Sequence, residues 1–327
     1  MAPHKRSSGG DPSDQTVTTK TMRAAVIEEV NTEPVVSRVD RPVPGEGEVL
    51  IAVSAAALNP HDQVIAAGVR ARPPVPYITG NEGVGRLPDG TRVYFGSVKL
   101  PQGSMAEYVT VPEELTVPLP AGLGDAEALG LGVAGTTAWL SLTWKGNLRP
   151  GESVLVTGAT GAVGQIAVQA AKLLGASRVV AAGRNEETLQ RLLSLGADAV
   201  VTLDEGYEQR LIDASDGGFD LVVDSLYGAP MQAALLATRH GGRLVNLGMR
   251  AGRVLELSGV AQKGRDLLSY SGDLPPRAAH REAFERMAAH VLAGELVVES
   301  ETLPLDAVAD AWKRQAESPN TKLVLVP

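Results

Sequence analysis

Glu152-Ser-Val-Leu-Val-Thr157-Gly158-Ala-Thr-Gly161-Ala-Val-Gly164, continued by Gln165-Ile-Ala-Val-Gln-Ala-Ala-Lys172-Leu-Leu-Gly175, is the stretch that decides the fold. A β-branched apolar run ends in three glycines spaced three apart. The apolar residues after them recur at helical spacing, so the stretch predicts strand, tight turn and helix. Glycines let the backbone turn sharply and come close to a ligand, and the helix that follows aims unpaired N–H groups and its positive dipole end at that turn. A dinucleotide pyrophosphate suits such a turn, which makes Gly158, Thr160, Gly161, Ala162, Val163 and Gly164 candidate cofactor contacts.

Outward from this stretch, strand-like runs at 178–182, 199–203, 219–224 and 242–247 alternate with helical patterns at 186–195, 207–214 and 229–239. Apolar runs alternating with helices predict a parallel sheet covered on both faces, a doubly wound domain. Toward the N-terminus the texture is different. Short strand-like runs at 23–27 and 48–54 flank the turn-rich connector Arg41-Pro-Val-Pro-Gly-Glu-Gly47, and Pro/Gly punctuation continues to Pro118-Leu-Pro120, which predicts a β-rich first domain. Around Gly132 an Ala- and Leu-rich helix at 133–142 begins the second. After 266–271 come a helix Arg277–Leu292, a helix at 306–317 and a strand Lys322–Val326, which no longer alternate and are placed back on the first domain. The expected domains are 22–132 plus 272–327 for the β-rich unit and 133–271 for the inserted nucleotide-binding unit. Residues 1–21, rich in Ser, Thr, Gly, Pro and charge, are expected to form a disordered tail.

Composition narrows the function. In 327 residues with 44% apolar content and a net charge of −8 there is no basic cluster to attract a phosphate backbone or an anionic bilayer, so neither nucleic acid nor membrane is an expected partner. No apolar run approaches the roughly 20 residues that span a bilayer, and the N-terminus lacks a signal-peptide core, so the chain is expected in the cytoplasm. The absence of cysteine excludes thiolate catalysis and any zinc site built on sulfur.

Leu58-Asn-Pro-His-Asp62, Thr79-Gly-Asn-Glu-Gly-Val-Gly85, Gly90-Thr-Arg-Val93, Gly103-Ser-Met-Ala-Glu-Tyr-Val109, Ala134-Gly-Thr-Thr-Ala138, the glycine turn and Gly241-Gly-Arg-Leu-Val-Asn-Leu-Gly248 follow one another in a specific order. From Met22 to Pro327 the chain resembles the medium-chain dehydrogenase/reductase superfamily, in its zinc-independent quinone oxidoreductase and enoyl reductase branch. The resemblance implies an α/β fold, a Rossmann doubly wound parallel-sheet domain inserted in a GroES-like β-rich catalytic domain, with an active-site cleft between them and a homodimeric assembly. It also implies that the alcohol dehydrogenase branch places a zinc-binding Cys where Asn59 stands and a His where Asn81 stands. Without a metal to polarise an alcohol oxygen, the expected chemistry is hydride transfer to an electron-poor small molecule, a quinone or an α,β-unsaturated carbonyl.

For the cofactor, the second strand ends Ala181-Ala-Gly183-Arg184-Asn185, with no acid to accept from an adenine ribose; Arg184 offers a planar fork suited to a 2′-phosphate, or else starts a solvated helix. NADPH is the expected cofactor. The resemblance sets Thr137 beside the nicotinamide, against a helix cap or buried hydroxyl, and sets Gly248 and Met249 along it, with Ser225 similar. Among the catalytic candidates, Asn59 either donates to a substrate carbonyl or forms a turn before Pro60, His61 either supplies a proton or sits on the surface, and Tyr77 either faces the cleft or packs in the core. Many quinone reductases of this type carry Tyr and Arg where this chain has Val64 and Ala66, which implies an altered pocket and a proton drawn from solvent. Two alternatives remain: a tailoring enoyl reductase of secondary metabolism, and a non-catalytic NADPH-binding protein of the same fold.

Overall fold

The computed structural model of the chain describes residues 20–69, 71–257 and 259–327. Eight strands come first: β1 (Thr21–Ile27), β2 (Val35–Asp40), β3 (Glu48–Ala57), β4 (Tyr77–Ile78), β5 (Glu82–Arg86), β6 (Arg92–Phe95), β7 (Tyr108–Pro112) and β8 (Thr116–Pro118). Six follow the helical crossing: β9 (Ser153–Thr157), β10 (Arg178–Gly183), β11 (Ala199–Thr202), β12 (Phe219–Asp224), β13 (Thr238–Asn246) and β14 (Asp266–Ser269). The last two are β15 (Ser300–Pro304) and β16 (Lys322–Val326).

The middle six form one parallel sheet in the order β11-β10-β9-β12-β13-β14. The strand order reverses between β9 and β12, and in open α/β sheets ligands bind at such a switch point. Alternate residues of each strand serve opposite faces. Val154, Val156, Val179, Ala181 and Val223 join one core cluster, while Leu155, Val180, Ala182 and Val222 join another. That two-sided burial is why the sequence reads as continuous apolar runs.

The first domain holds a three-stranded sheet, β2-β1-β4, and a seven-stranded sheet that the returning strands complete, in which β16 pairs antiparallel with β3 and β15 pairs parallel with β16. Two contacts seat this return on the helix after the glycine turn. Gln165 donates to the carbonyl of Asn320 at 2.7 Å, and Gln169 donates to Val297 O at 3.0 Å while accepting the Val297 N–H at 2.8 Å.

Three boundaries differ from the expectation. The first strand starts at Thr21, inside the expected tail, because Thr21 is in register with Asp40; residues 1–19 of that tail lie outside the described residues. Strand β13 begins at Thr238 rather than 242, since Thr238 already pairs with Phe219 across an irregularity in register. The helix expected at 133–142 belongs to a helical stretch over 125–145, bent at Gly132, whose ψ of −118° is not helical. The texture change in the sequence thus falls on a kink rather than on a linker.

Candidate cofactor and substrate site

Strand β9 delivers the chain into the glycine turn, and each glycine there has its own reason. Gly158 has φ +69°, a left-handed conformation that costs a side-chain-bearing residue energy. At Gly164 a Cβ would lie 2.3 Å from the carbonyl oxygen of Gly158, so the helix Ala162–Leu173 could not approach the strand. At Gly161 the nearest protein atom to a Cβ is 3.6 Å away. The open side of Gly161, at the N-terminus of a 12-residue helix, is a cradle for an anionic group, and a dinucleotide pyrophosphate fits it. Ala162 and Val163 open that helix, and Thr160 packs against Gly183, where a Cβ would meet the Thr160 methyl at 2.6 Å.

Arg184 follows the end of β10 and is exposed, with no hydrogen bond or ion pair among the described residues. The helix Glu186–Ser194 does not need it, because Asn185 caps that helix by accepting the Thr188 N–H at 2.8 Å. A guanidinium held at a strand end without a partner fits a phosphate ester.

Asp224 organises the other side of the switch point. Its carboxylate accepts from the Thr157 hydroxyl, from Asn246 Nδ2 at 2.7 Å and from the Tyr227 and Leu226 N–H groups at 2.9 and 3.3 Å. Burial raises its pKa, and these hydrogen bonds oppose the rise. One buried acid thereby ties together the ends of β9, β12 and β13, and the segments leaving those ends touch in turn. Ala251 N–H donates to Leu226 O at 2.8 Å, and a Cβ on Gly248 would come 3.0 Å from Ser225 O. Ser225 and Gly248 are half-buried on this rim, Met249 is exposed, and Thr137 is half-buried on the helix Thr136–Leu140.

Asn59 caps a short helix, Pro60–Ala66, with its backbone alone: Pro60 presets the first turn, and Asp62 accepts the Asn59 N–H at 2.8 Å. The Asn59 side chain points elsewhere. Its Oδ1 accepts from Lys322 Nζ at 2.6 Å, and its Nδ2 donates to Glu82 Oε1 at 2.9 Å. Lys322 closes the triangle by donating to the same Glu82 oxygen at 2.8 Å. The other Glu82 oxygen accepts from Tyr94 at 2.8 Å and from the Val133 N–H at 2.7 Å. Gly132 makes the last bond possible, since a Cβ there would overlap that oxygen at 2.1 Å and the kink exposes the N–H that follows. The side chains of Lys322 and Glu82 are 3% and 0% exposed. Lys322 also borders a narrow crevice with Gly130, Ala162, Gln165 and Ile166, so it stands between Asn59 and the start of the cofactor helix.

Of the three catalytic candidates, Asn59 lies in this network, His61 is exposed, and Tyr77 is enclosed in the core with Ile27, Leu58 and Trp312. The Tyr77 hydroxyl is buried without a hydrogen-bond partner among the described residues, and burial together with nearby Asp62 pushes its pKa up to about 12. Burial likewise pushes Asp62 up to about 7. Asp62 anchors the Asn59 backbone.

Two family models match the chain: the alcohol dehydrogenase GroES-like domain over residues 45–121 and the zinc-binding dehydrogenase over residues 162–289. The quinone oxidoreductase of Thermus thermophilus, solved alone and with NADPH, superposes with a TM-score of 0.81 at 33% identity, covering 94% of this chain and 100% of that one. The chain belongs to the medium-chain dehydrogenase/reductase superfamily. Within it, the match to that structure and to prostaglandin reductase-3 of Mus musculus, 34% identical over 64% of this chain and 58% of that protein, places it in the quinone oxidoreductase and enoyl reductase branch. A third relative is a component of the phenolphthiocerol/phthiocerol polyketide synthase of Mycobacterium tuberculosis, 32% identical over 89% of this chain; the chain spans 14% of that protein's length. As a member of this superfamily the chain has a GroES-like domain followed by a Rossmann-like parallel sheet.

Sequence reading missed four residues of this candidate site: Glu82, Tyr94, Asp224 and Lys322. Three had a signal. Lys322 is the one charge in the terminal strand Lys322-Leu-Val-Leu-Val326, Glu82 is the one acid in a glycine-rich motif, and Asp224 follows the apolar run Leu221-Val-Val223. A charge in a segment that must be buried demands a partner.

Proposed function

We propose that this chain is a zinc-independent reductase that uses NADPH to deliver hydride to the electron-poor carbon of a quinone or an α,β-unsaturated carbonyl. The amide of Asn59 carries this reading. At the position where the resemblance puts a metal ligand in the alcohol dehydrogenases stands a carboxamide pinned by Lys322 and Glu82, with one amide hydrogen left unbonded among the described residues. A neutral donor held in a water-poor site suits an oxygen that gains negative charge, as a carbonyl does when its conjugated carbon is reduced.

NADPH would be held by the turn from Gly158 to Gly164 at its pyrophosphate and by Gly183 and Arg184 at its 2′-phosphate, with Thr137, Ser225, Gly248 and Met249 flanking the nicotinamide. Bound there, it supplies the hydride. Asn59 orients the acceptor carbonyl and stabilises the oxyanion. The final proton comes from solvent, to which the exposed His61 has access.

The polyketide synthase relative, matched over 89% of this chain, favours a second reading of the acceptor as an enoyl thioester in secondary metabolism. The resemblance puts Tyr and Arg where this chain has the smaller Val64 and Ala66, which supports a longer substrate, although Ala66 itself is buried in the core. Strand β14 is the last in its sheet, and exposed Val254 and Val260 lie near it in sequence, which supports a homodimer formed along that edge. A cytoplasmic location accords with the use of NADPH and with the lack, among the described residues, of a helix long and apolar enough to cross a membrane.

Stopped-flow oxidation of NADPH against a panel of quinones, enones and enoyl thioesters tests the reading. Turnover with one class names the acceptor. Tight NADPH binding without turnover of any acceptor would leave a non-catalytic NADPH-binding protein.

A further inference from the structure

The triangle of Lys322, Asn59 and Glu82 has a directional property. A carboxamide has two faces of opposite character, an oxygen that accepts and a nitrogen that donates, and the two can usually exchange by a half-turn. Here Oδ1 lies 2.6 Å from an ammonium and Nδ2 lies 2.9 Å from a carboxylate oxygen. A half-turn would set oxygen against carboxylate and N–H against ammonium, both repulsive in a buried setting where charge interactions are strong. The second Nδ2 hydrogen is therefore held in one direction, and the ammonium on Oδ1 draws electron density from the amide, making that hydrogen a better donor.

We propose that Lys322 is a positioning residue for the reduction: through the Asn59 oxygen it fixes and polarises the amide N–H that receives the negative charge forming on the acceptor oxygen. The inference rests on the function proposed above and adds to it a residue 263 positions away in sequence, on the terminal strand. It also gives a reason for a lysine at a site that an apolar residue would fill at lower cost, since a buried ion pair is weak evidence of stabilisation. Glu82 completes the arrangement from below by holding Lys322 and Asn59 through one oxygen and the kinked helix through the other.

The test uses the double variant Lys322→Met/Glu82→Gln, which removes both charges and leaves neither buried alone, together with Lys322→Arg, which keeps the charge and alters its reach. Folding is checked by the thermal shift that NADPH induces. Both variants are expected to bind NADPH nearly as the parent does. With 1,4-benzoquinone or but-3-en-2-one, kcat is expected to fall about ten-fold or more in the double variant and several-fold in Lys322→Arg, with little change in KM.

A second readout separates positioning from scaffolding. The NADP⁺-loaded parent is expected to bind 4-nitrophenolate more tightly than 4-nitroanisole, and the double variant to lose that preference for the anion. Unchanged kcat and unchanged anion preference in a folded double variant would overturn the proposal; should that variant not fold, the same result in Lys322→Arg would overturn it. A parent that turns over no acceptor would sink the proposed function instead, while the anion preference would still judge the role of Lys322.

Discussion

The ammonium of Lys322 sits 2.8 Å from the carboxylate of Glu82, joining the terminal strand to β5 across 240 residues of chain, with both side chains shut away from water. Removing one partner leaves the other as an uncompensated buried charge. Lys322→Met alone is expected to cost about 3–5 kcal/mol in urea denaturation, and Glu82→Gln alone a similar amount. The double variant should cost much less than the sum of the two, and strict additivity would show that the charges do not interact.

The glycines of the turn separate folding from binding. Gly161→Ala meets no protein atom closer than 3.6 Å and has an ordinary backbone conformation, so its melting temperature without ligand should match the parent. Its NADPH-induced shift should shrink, because the methyl group fills the pyrophosphate cradle. Gly164→Ala should do the reverse first, losing about 1–3 kcal/mol of stability to overpacking against Gly158 O before any ligand is added.

Arg184 makes no contact that the fold requires, so Arg184→Ala should leave stability unchanged within about 0.5 kcal/mol. Its effect should be on cofactor choice. Losing a charge-assisted hydrogen bond of about 1.5–3 kcal/mol corresponds to a drop of roughly 10- to 150-fold in kcat/KM for NADPH, with NADH little affected. A 2′-phosphate preference that survives the substitution would remove Arg184 from the site.

Asp62 predicts a pH dependence. Burial raises its pKa from 3.8 to about 7, so between those values the unfolded chain has released a proton that the folded chain still holds. The sign follows: the neutral form favours the fold, this contribution is fully present below about pH 4, and it is lost as pH rises through about 7. At 1.36 kcal/mol per unit, the loss is about 4 kcal/mol at most. Asp62→Asn, which keeps an acceptor for the Asn59 N–H, should flatten the stability profile between pH 4 and 7 relative to the parent. Parallel profiles for the two proteins would show that Asp62 does not titrate in that window.

The division between sequence and structure follows the range of the interactions. The glycine turn was legible because strand, turn and helix are local, and two of its three glycines, Gly158 and Gly164, answer backbone constraints within seven residues. Five of the six parallel strands were legible because strands buried on both faces read as apolar runs, whereas the short strand β14, at the edge of the sheet and only partly buried, gave no such signal. The order of the motifs was enough to identify the superfamily. The Asn59 amide is a different case. Asn-Pro-His-Asp reads as a turn before Pro60, where Pro60 and Asp62 in fact start a helix, and the destination of the Asn59 side chain depends on β5, β6, the kink at Gly132 and a lysine 263 residues away. Tyr77 shows the same limit: nothing beside it in sequence says that Ile27 and Trp312 close over it. The sequence alone determined the fold and the phosphate cradle, which rest on local backbone geometry and burial period. Only the tertiary structure decided the orientation of the Asn59 amide, because that depends on charges brought together from distant segments and shielded from water.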